Sequence, residues 1–177
     1  MNLYINNLFN EYCYATKDCI SFELAPNQSP YYDVESEDLK YREEYVDLCI
    51  ENACKIWEKC KFSKELIVLY EDKFGCHEKN EKEFVENTLQ LLNCIKYPFK
   101  WRDDEETYKG IRYIWQTNKI NINELFKKII LSDIGEDTQL DCAIYIIDNQ
   151  TKNVFFLYDD RGVDVYSNDK KFINKIK

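Results

Sequence analysis

The chain has 177 residues, a formal net charge of −9 and 32% charged residues. A chain this long buries roughly 70% of its unfolded surface, enough for one self-supporting core without disulfide staples. No apolar run approaches the ~18 residues that a membrane span requires, and an acidic chain repels phosphate backbones, so membrane and nucleic acid are excluded as expected partners.

The acidity is lopsided. Residues 1–109 hold 14 Lys/Arg against 23 Asp/Glu and sum to −9, whereas residues 110–177 hold 10 of each and sum to zero. Between residues 31 and 51, Asp33, Glu35, Glu37, Asp38, Glu43, Glu44, Asp47 and Glu51 face only Lys40 and Arg42. Any macromolecule held electrostatically by this part should be basic.

In chain order, Leu3, Tyr4, Leu8, Phe9 and Tyr12 recur at helical spacing and predict a short helix over 3–16. Cys19 to Leu24 alternates as a strand, stopped by the segment Pro26 to Pro30. The longest helix is expected from about Glu37 to Lys61, capped by Ser36, with Leu39, Val46, Cys49, Ile50, Ala53, Ile56, Trp57 and Cys60 on its core face. Glu65 to Tyr70 reads as a buried strand ended by Glu71-Asp72. Phe84, Val85, Leu91, Leu92 and Ile95 predict a helix over 81–95 closed by Pro98, followed by a charged loop over 100–107. Ile111, Tyr113 and Trp115 then show strand period. Asn121 or Asn123 caps a further helix carrying Leu125, Phe126, Ile129 and Ile130, ended by Gly135.

Ala143–Ile147, Val154–Tyr158 and Val163–Tyr166 are β-branched and aromatic runs separated by Asn/Asp/Gly turns, the pattern of an antiparallel meander. A short helix over 169–176 closes the chain. Helices and strands without a regular βα unit, plus strands joined by tight turns, predict an α+β fold. It is expected as a single domain over 1–177, with a mainly helical acidic part (1–62) and a sheet-containing part (63–177).

Eight cysteines invite metal or disulfide readings. The opening Met1 to Asn6 lacks a basic segment followed by an apolar one, so a cytoplasmic protein with reduced thiols is expected. Cys49/Cys54 and Cys13/Cys19 have no second pair at zinc spacing, and Cys49 and Cys60 lie on the apolar stripe, so they read as core residues and no metal or other cofactor is expected. The sole histidine, His77, beside Cys76, lies in a turn-like stretch with nothing that arranges it against a thiol. Neither a phosphate loop nor a dinucleotide fingerprint nor a nucleophile elbow is present.

Two sets of residues remain. Asp159, Asp160 and Asp164 are the densest carboxylates on structured backbone. Their bland reading is a hairpin turn, in which Asp accepts backbone N–H bonds, Gly162 supplies positive φ, and Asp164 pairs with Arg161 across the turn. The acidic stretch carries Tyr31, Tyr32, Tyr41 and Tyr45. It reads either as a solvated helix face, with Glu37 and Asp38 near the positive end of the helix dipole, or as an interface with aromatic anchors.

Ile111 to Trp115, the following amphipathic helix and above all Phe156-Leu-Tyr-Asp-Asp-Arg-Gly-Val-Asp-Val165 resemble the C-terminal half of a bacterial family classed as a domain of unknown function. Its members end in a Tyr-Asp-Asp-Arg-Gly-(Leu/Val)-Asp hairpin. The resemblance spans about residues 65–167, and it marks Tyr158, Asp159, Asp160, Arg161, Gly162 and Asp164 as a signature without implying an activity.

The function expected is therefore non-enzymatic protein binding, as an immunity protein that neutralises a basic toxin such as a nuclease. Its candidate contacts are Tyr31, Tyr32, Asp33, Glu35, Glu37, Asp38, Tyr41, Glu43, Glu44 and Asp47. The alternatives are a small metal-dependent hydrolase using Asp159, Asp160 and Asp164, or a regulatory interaction module.

Overall fold

The computed structural model describes residues 18–32, 40–73, 93–103, 106–135 and 143–177, together with Asn87. Seven strands form one open, wholly antiparallel sheet: β1 (Cys19–Glu23), β2 (Leu66–Asp72), β3 (Asn93–Asp103), β4 (Glu106–Thr117), β5 (Ala143–Asp148), β6 (Val154–Leu157) and β7 (Gly162–Tyr166). Their order is β1-β7-β6-β5-β2-β4-β3. Three helices complete the described residues, α1 (Glu43–Cys60), α2 (Ile122–Asp133) and α3 (Lys170–Ile176). The chain is an α+β domain.

All three helices pack on one face. The stripe Tyr45, Val46, Cys49, Ile50, Ala53, Ile56 and Cys60 of α1 shares a core with Leu125, Phe126, Ile129 and Ile130 of α2 and Ile173 and Ile176 of α3. Beneath them lie Leu66, Val68, Tyr70, Trp115, Ile146, Phe155 and Val165 from the sheet. The opposite sheet face has a smaller cluster of Ile67, Leu69, Ile114, Tyr145, Ile147 and Val154. Burial on both faces explains why β2 is a continuous apolar run rather than an alternating one.

Several boundaries differ from the sequence expectation. The long helix begins at Glu43 because Lys40–Arg42 is drawn into extended pairing: Tyr41 bridges Tyr31, and Arg42 N donates to Pro30 O at 2.7 Å. Ser36 and Leu39, its expected cap and first contact, lie outside the described residues, as does the helix over 3–16. β2 does not stop before Glu71 and Asp72 but runs through both, and both are buried, Glu71 against Arg112 on β4, Nε to Oε1 2.8 Å. The end of the expected 81–95 helix and the charged loop over 100–107 are instead largely β3 and the start of β4, paired from Asn93–Gln116 to Asp103–Glu106. Pro98 sits in an edge strand, where a missing N–H costs least.

The meander and both later helices match their expected positions within a residue or two. Asn121 accepts from Glu124 N at 3.4 Å, Gly135 follows α2 at φ 86°, and Asp169 caps α3 by accepting from Lys171 N at 2.8 Å.

Candidate functional site

The link between β6 and β7 carries the signature residues, and each has a distinct local task. Asp159 is buried and closes the turn on itself, one oxygen accepting Arg161 N at 2.7 Å and the other Arg161 Nε at 2.7 Å and Nη2. Arg161 therefore pairs with the aspartate two residues before it, and not with Asp164. Asp164 lies in β7, where it accepts from Ser21 Oγ at 2.6 Å and Tyr166 OH at 3.1 Å. An Asx-type turn satisfies its donors within two residues, whereas Asp164 lies directly opposite Ser21 in the β1–β7 register, on the same sheet face.

Gly162 also has a reason other than the one expected. It lacks positive φ. Instead, a Cβ there would meet the Tyr158 ring, with Cζ at 2.7 Å, and the Phe22 carbonyl oxygen at 2.9 Å. Glycine is needed for close approach of β1 and the Tyr158 ring.

Asp160 is buried and accepts the Tyr45 hydroxyl at 2.6 Å, joining the turn to the first turn of α1. Asp133, at the end of α2, brings a third carboxylate: ligand oxygens of Asp133, Asp159 and Asp160 lie within 4.8 Å of one another. Asp133 is exposed overall, yet partial desolvation of its carboxyl against the turn, then a hydrogen bond with Asp160, then the charges of Asp159 and Asp160 push it up to about 6. Burial and the Asp160 carboxylate likewise push the Tyr45 phenol upward, so it stays a donor. The three aspartates could share a proton or take a hard cation through oxygen. Much of their lone-pair capacity is already used by Arg161 and Tyr45. A cleft of about 480 Å³ lies alongside, lined by Glu23, Asn27, Gln28, Tyr45, Tyr158 and Arg161.

The acidic stretch divides differently from its sequence pattern. Tyr45 is buried, Tyr41 is half-buried against the core, and Tyr31 is half-buried with its hydroxyl donated to Ile134 O at 3.2 Å. Tyr32 is the displayed aromatic, 67% exposed, with its hydroxyl on Glu44 Oε2 at 3.2 Å and the Arg42 guanidinium 5.8 Å from its ring centre. Glu43, Glu44, Asp47 and Glu51 are exposed along α1. Asp33, Glu35, Glu37 and Asp38 lie outside the described residues.

Among the described cysteines, desolvation raises the thiols of the exposed Cys19 and the half-buried Cys54 above their ordinary value. Cys49 and Cys60 are buried, and burial pushes their thiols up to about 11 and about 12, which leaves them protonated near neutral pH. Cys76 and His77 lie outside the described residues.

A family model described as "Domain of unknown function (DUF3885)" matches residues 1–177. The chain belongs to this family. The match takes in the acidic N-terminal part as well as residues 65–167. No curated protein and no solved structure matches the chain.

Asp133 is the member of the carboxylate cluster that sequence reasoning missed. It lies 26 residues before Asp159 in an ordinary helix end, and only the closure of α2 onto the β6–β7 turn brings the two together. Tyr45, expected among the aromatic anchors of the acidic stretch, is instead buried in α1; its spacing of four residues before Cys49 is the signal for this, whereas its pairing with Asp160 has none.

Proposed function

We propose that this DUF3885 chain is a non-enzymatic binding module that captures a basic protein, in the manner of an immunity protein neutralising a cationic toxin such as a nuclease. One observation carries the reading: α1 buries one face completely and presents Glu43, Glu44, Asp47 and Glu51 outward, beside Tyr32 held between Arg42 and Glu44. A preset aromatic ring next to like-signed charge suits a hot spot within an electrostatic funnel, where complementary charge raises the association rate. Of the nearby basic residues, Arg42 is committed to Glu44 and Lys55 to Glu51 through exposed pairs, which contribute little and are readily exchanged for a partner's cations.

The test is affinity capture from the producing cells with the wild type and with the triple variant Glu43→Lys, Glu44→Lys, Asp47→Lys. A single basic protein retained at low salt, released at high salt and lost with the triple variant supports the proposal. Retention indifferent to both salt and charge reversal overturns it.

The metal-dependent hydrolase reading now rests on Asp133, Asp159 and Asp160, since Asp164 is held away by Ser21 and Tyr166. Under it, Asp160→Ala abolishes a metal-dependent activity in addition to the stability lost with the Tyr45 bond, and Tyr45→Phe, which loses that bond alone, keeps the activity; a purely structural turn loses stability in both variants and has no such activity to lose.

A further inference from the structure

The two edges of the sheet are built differently. β3 is guarded in the ways that keep sheets from pairing with strangers: Pro98 withdraws a donor, and Lys96 and Lys100 are exposed along it. β1 has no proline and no lysine.

The hydrogen-bond phase of β1 is fixed by its ends. Leu24 N donates to Arg161 O at 2.9 Å, and Ser167 N donates to Asp18 O at 3.2 Å. With the register Ile20–Val165 and Phe22–Val163, Asp18, Ile20, Phe22 and Leu24 direct their backbone groups at the β7 side. Cys19, Ser21 and Glu23 therefore turn N–H and C=O outward, and all three are exposed. No strand among the described residues pairs with that side.

We infer that β1 is the contact strand of a symmetric dimer, pairing antiparallel with β1 of a second copy about a two-fold axis at Ser21. The outward groups are self-complementary in this register. Cys19 stands opposite Glu23 of the other copy and Ser21 opposite its own counterpart, and each such pair exchanges two backbone hydrogen bonds. No carboxylate faces its own copy. On the helix side, Ile20 comes opposite Phe22 of the other copy; both are half-buried residues packed against the main core, so the pairing continues an existing apolar surface. A five-residue strand contributes less than the roughly 1,200 Å² of standard interfaces, so the dimer should dissociate on dilution.

Sedimentation velocity from about 1 μM to about 500 μM should show a concentration-dependent monomer–dimer shift, spanning affinities accessible to such an interface. Ser21→Pro removes an outward backbone donor, as an edge strand tolerates, together with the hydroxyl held by Asp164, and should move the midpoint at least tenfold toward monomer, whereas Ser21→Ala, which loses the hydroxyl alone, should leave the midpoint in place. In a Cys19→Ser background, Ser21→Cys should form a disulfide with its counterpart on mild oxidation, because hydrogen-bonded pairs sit at about 5.5 Å between Cα atoms, within disulfide reach. Peptide mapping then identifies residue 21 joined to residue 21. A wild type that stays monomeric throughout overturns the proposal, as does a dimer that Ser21→Pro leaves intact and that yields no 21–21 bridge. The cross-link reads the register even where the proline variant folds poorly.

Discussion

The Tyr45 hydroxyl donates to Asp160 at 2.6 Å inside the protein, so the first turn of the long helix and the β6–β7 turn are held by one charge-assisted bond. A buried carboxylate that loses its donor keeps its desolvation cost without compensation. Tyr45→Phe should therefore lower unfolding free energy by about 1.5–3 kcal/mol in urea titration. Repeating it in an Asp160→Asn background should cost distinctly less, since the acceptor is no longer charged. Equal costs in both backgrounds would assign the loss to packing.

Gly162→Ala should destabilise by about 1–3 kcal/mol, the range for forcing atoms into a packed site. The added methyl meets a ring that can swing and a Phe22 carbonyl that cannot. Tyr158→Ala should therefore rescue part of the loss, read as recovered melting temperature in the double variant. Full rescue would mean that the β1 backbone yields.

Which elements were legible follows from their physics. The meander announces itself because its turn residues and apolar runs agree. β3 conceals itself: Pro98 reads as a helix stop, and Lys100 and Arg102 read as loop, although Ile95, Tyr97, Phe99 and Trp101 alternate with Lys96, Pro98, Lys100 and Arg102 at strand period. Edge strands tolerate both proline and lysine, so the local residue signals pointed away from the pairing. Glu71 and Asp72 misled for the reverse reason. A carboxylate normally marks a strand's wet end, and only the pairing of Glu71 with Arg112 across strands, invisible in one dimension, keeps it inside. The candidate site was half legible: Asp159 and Asp160 stand out, whereas Asp133 depends on tertiary closure.

Arg112 and Glu71 form a largely buried ion pair, with the guanidinium also 4.3 Å from the Phe99 ring centre. Glu71 Oε2 is buried without a hydrogen-bond partner among the described residues. Arg112→Met should cost about 3–5 kcal/mol by stranding the carboxylate, whereas Arg112→Met with Glu71→Leu should recover most of it. Chemical denaturation of the three proteins checks this. A double variant as unstable as the single one would show that the pair itself, rather than the stranded charge, matters.

The Asp133–Asp160 contact predicts a stability that falls as pH rises. Folded Asp133 is pushed up to about 6 from 3.8, first by partial desolvation of its carboxyl, then by the Asp160 hydrogen bond and the surrounding carboxylates. The folded state thus holds the proton more tightly than the unfolded chain. Its contribution is fully present below about 3.8, shrinks as pH climbs through about 6, and is absent above that. The end of α2 adds to the repulsion, because its last turn has no basic residue and its dipole disfavours an anion. Asp133→Asn removes the charge while keeping a donor for Asp160. It should raise the melting temperature at about pH 7.5, and this advantage should close as the pH is lowered below about 5. A constant difference between the two proteins over that window would show that Asp133 ionises independently of the aspartates beside it.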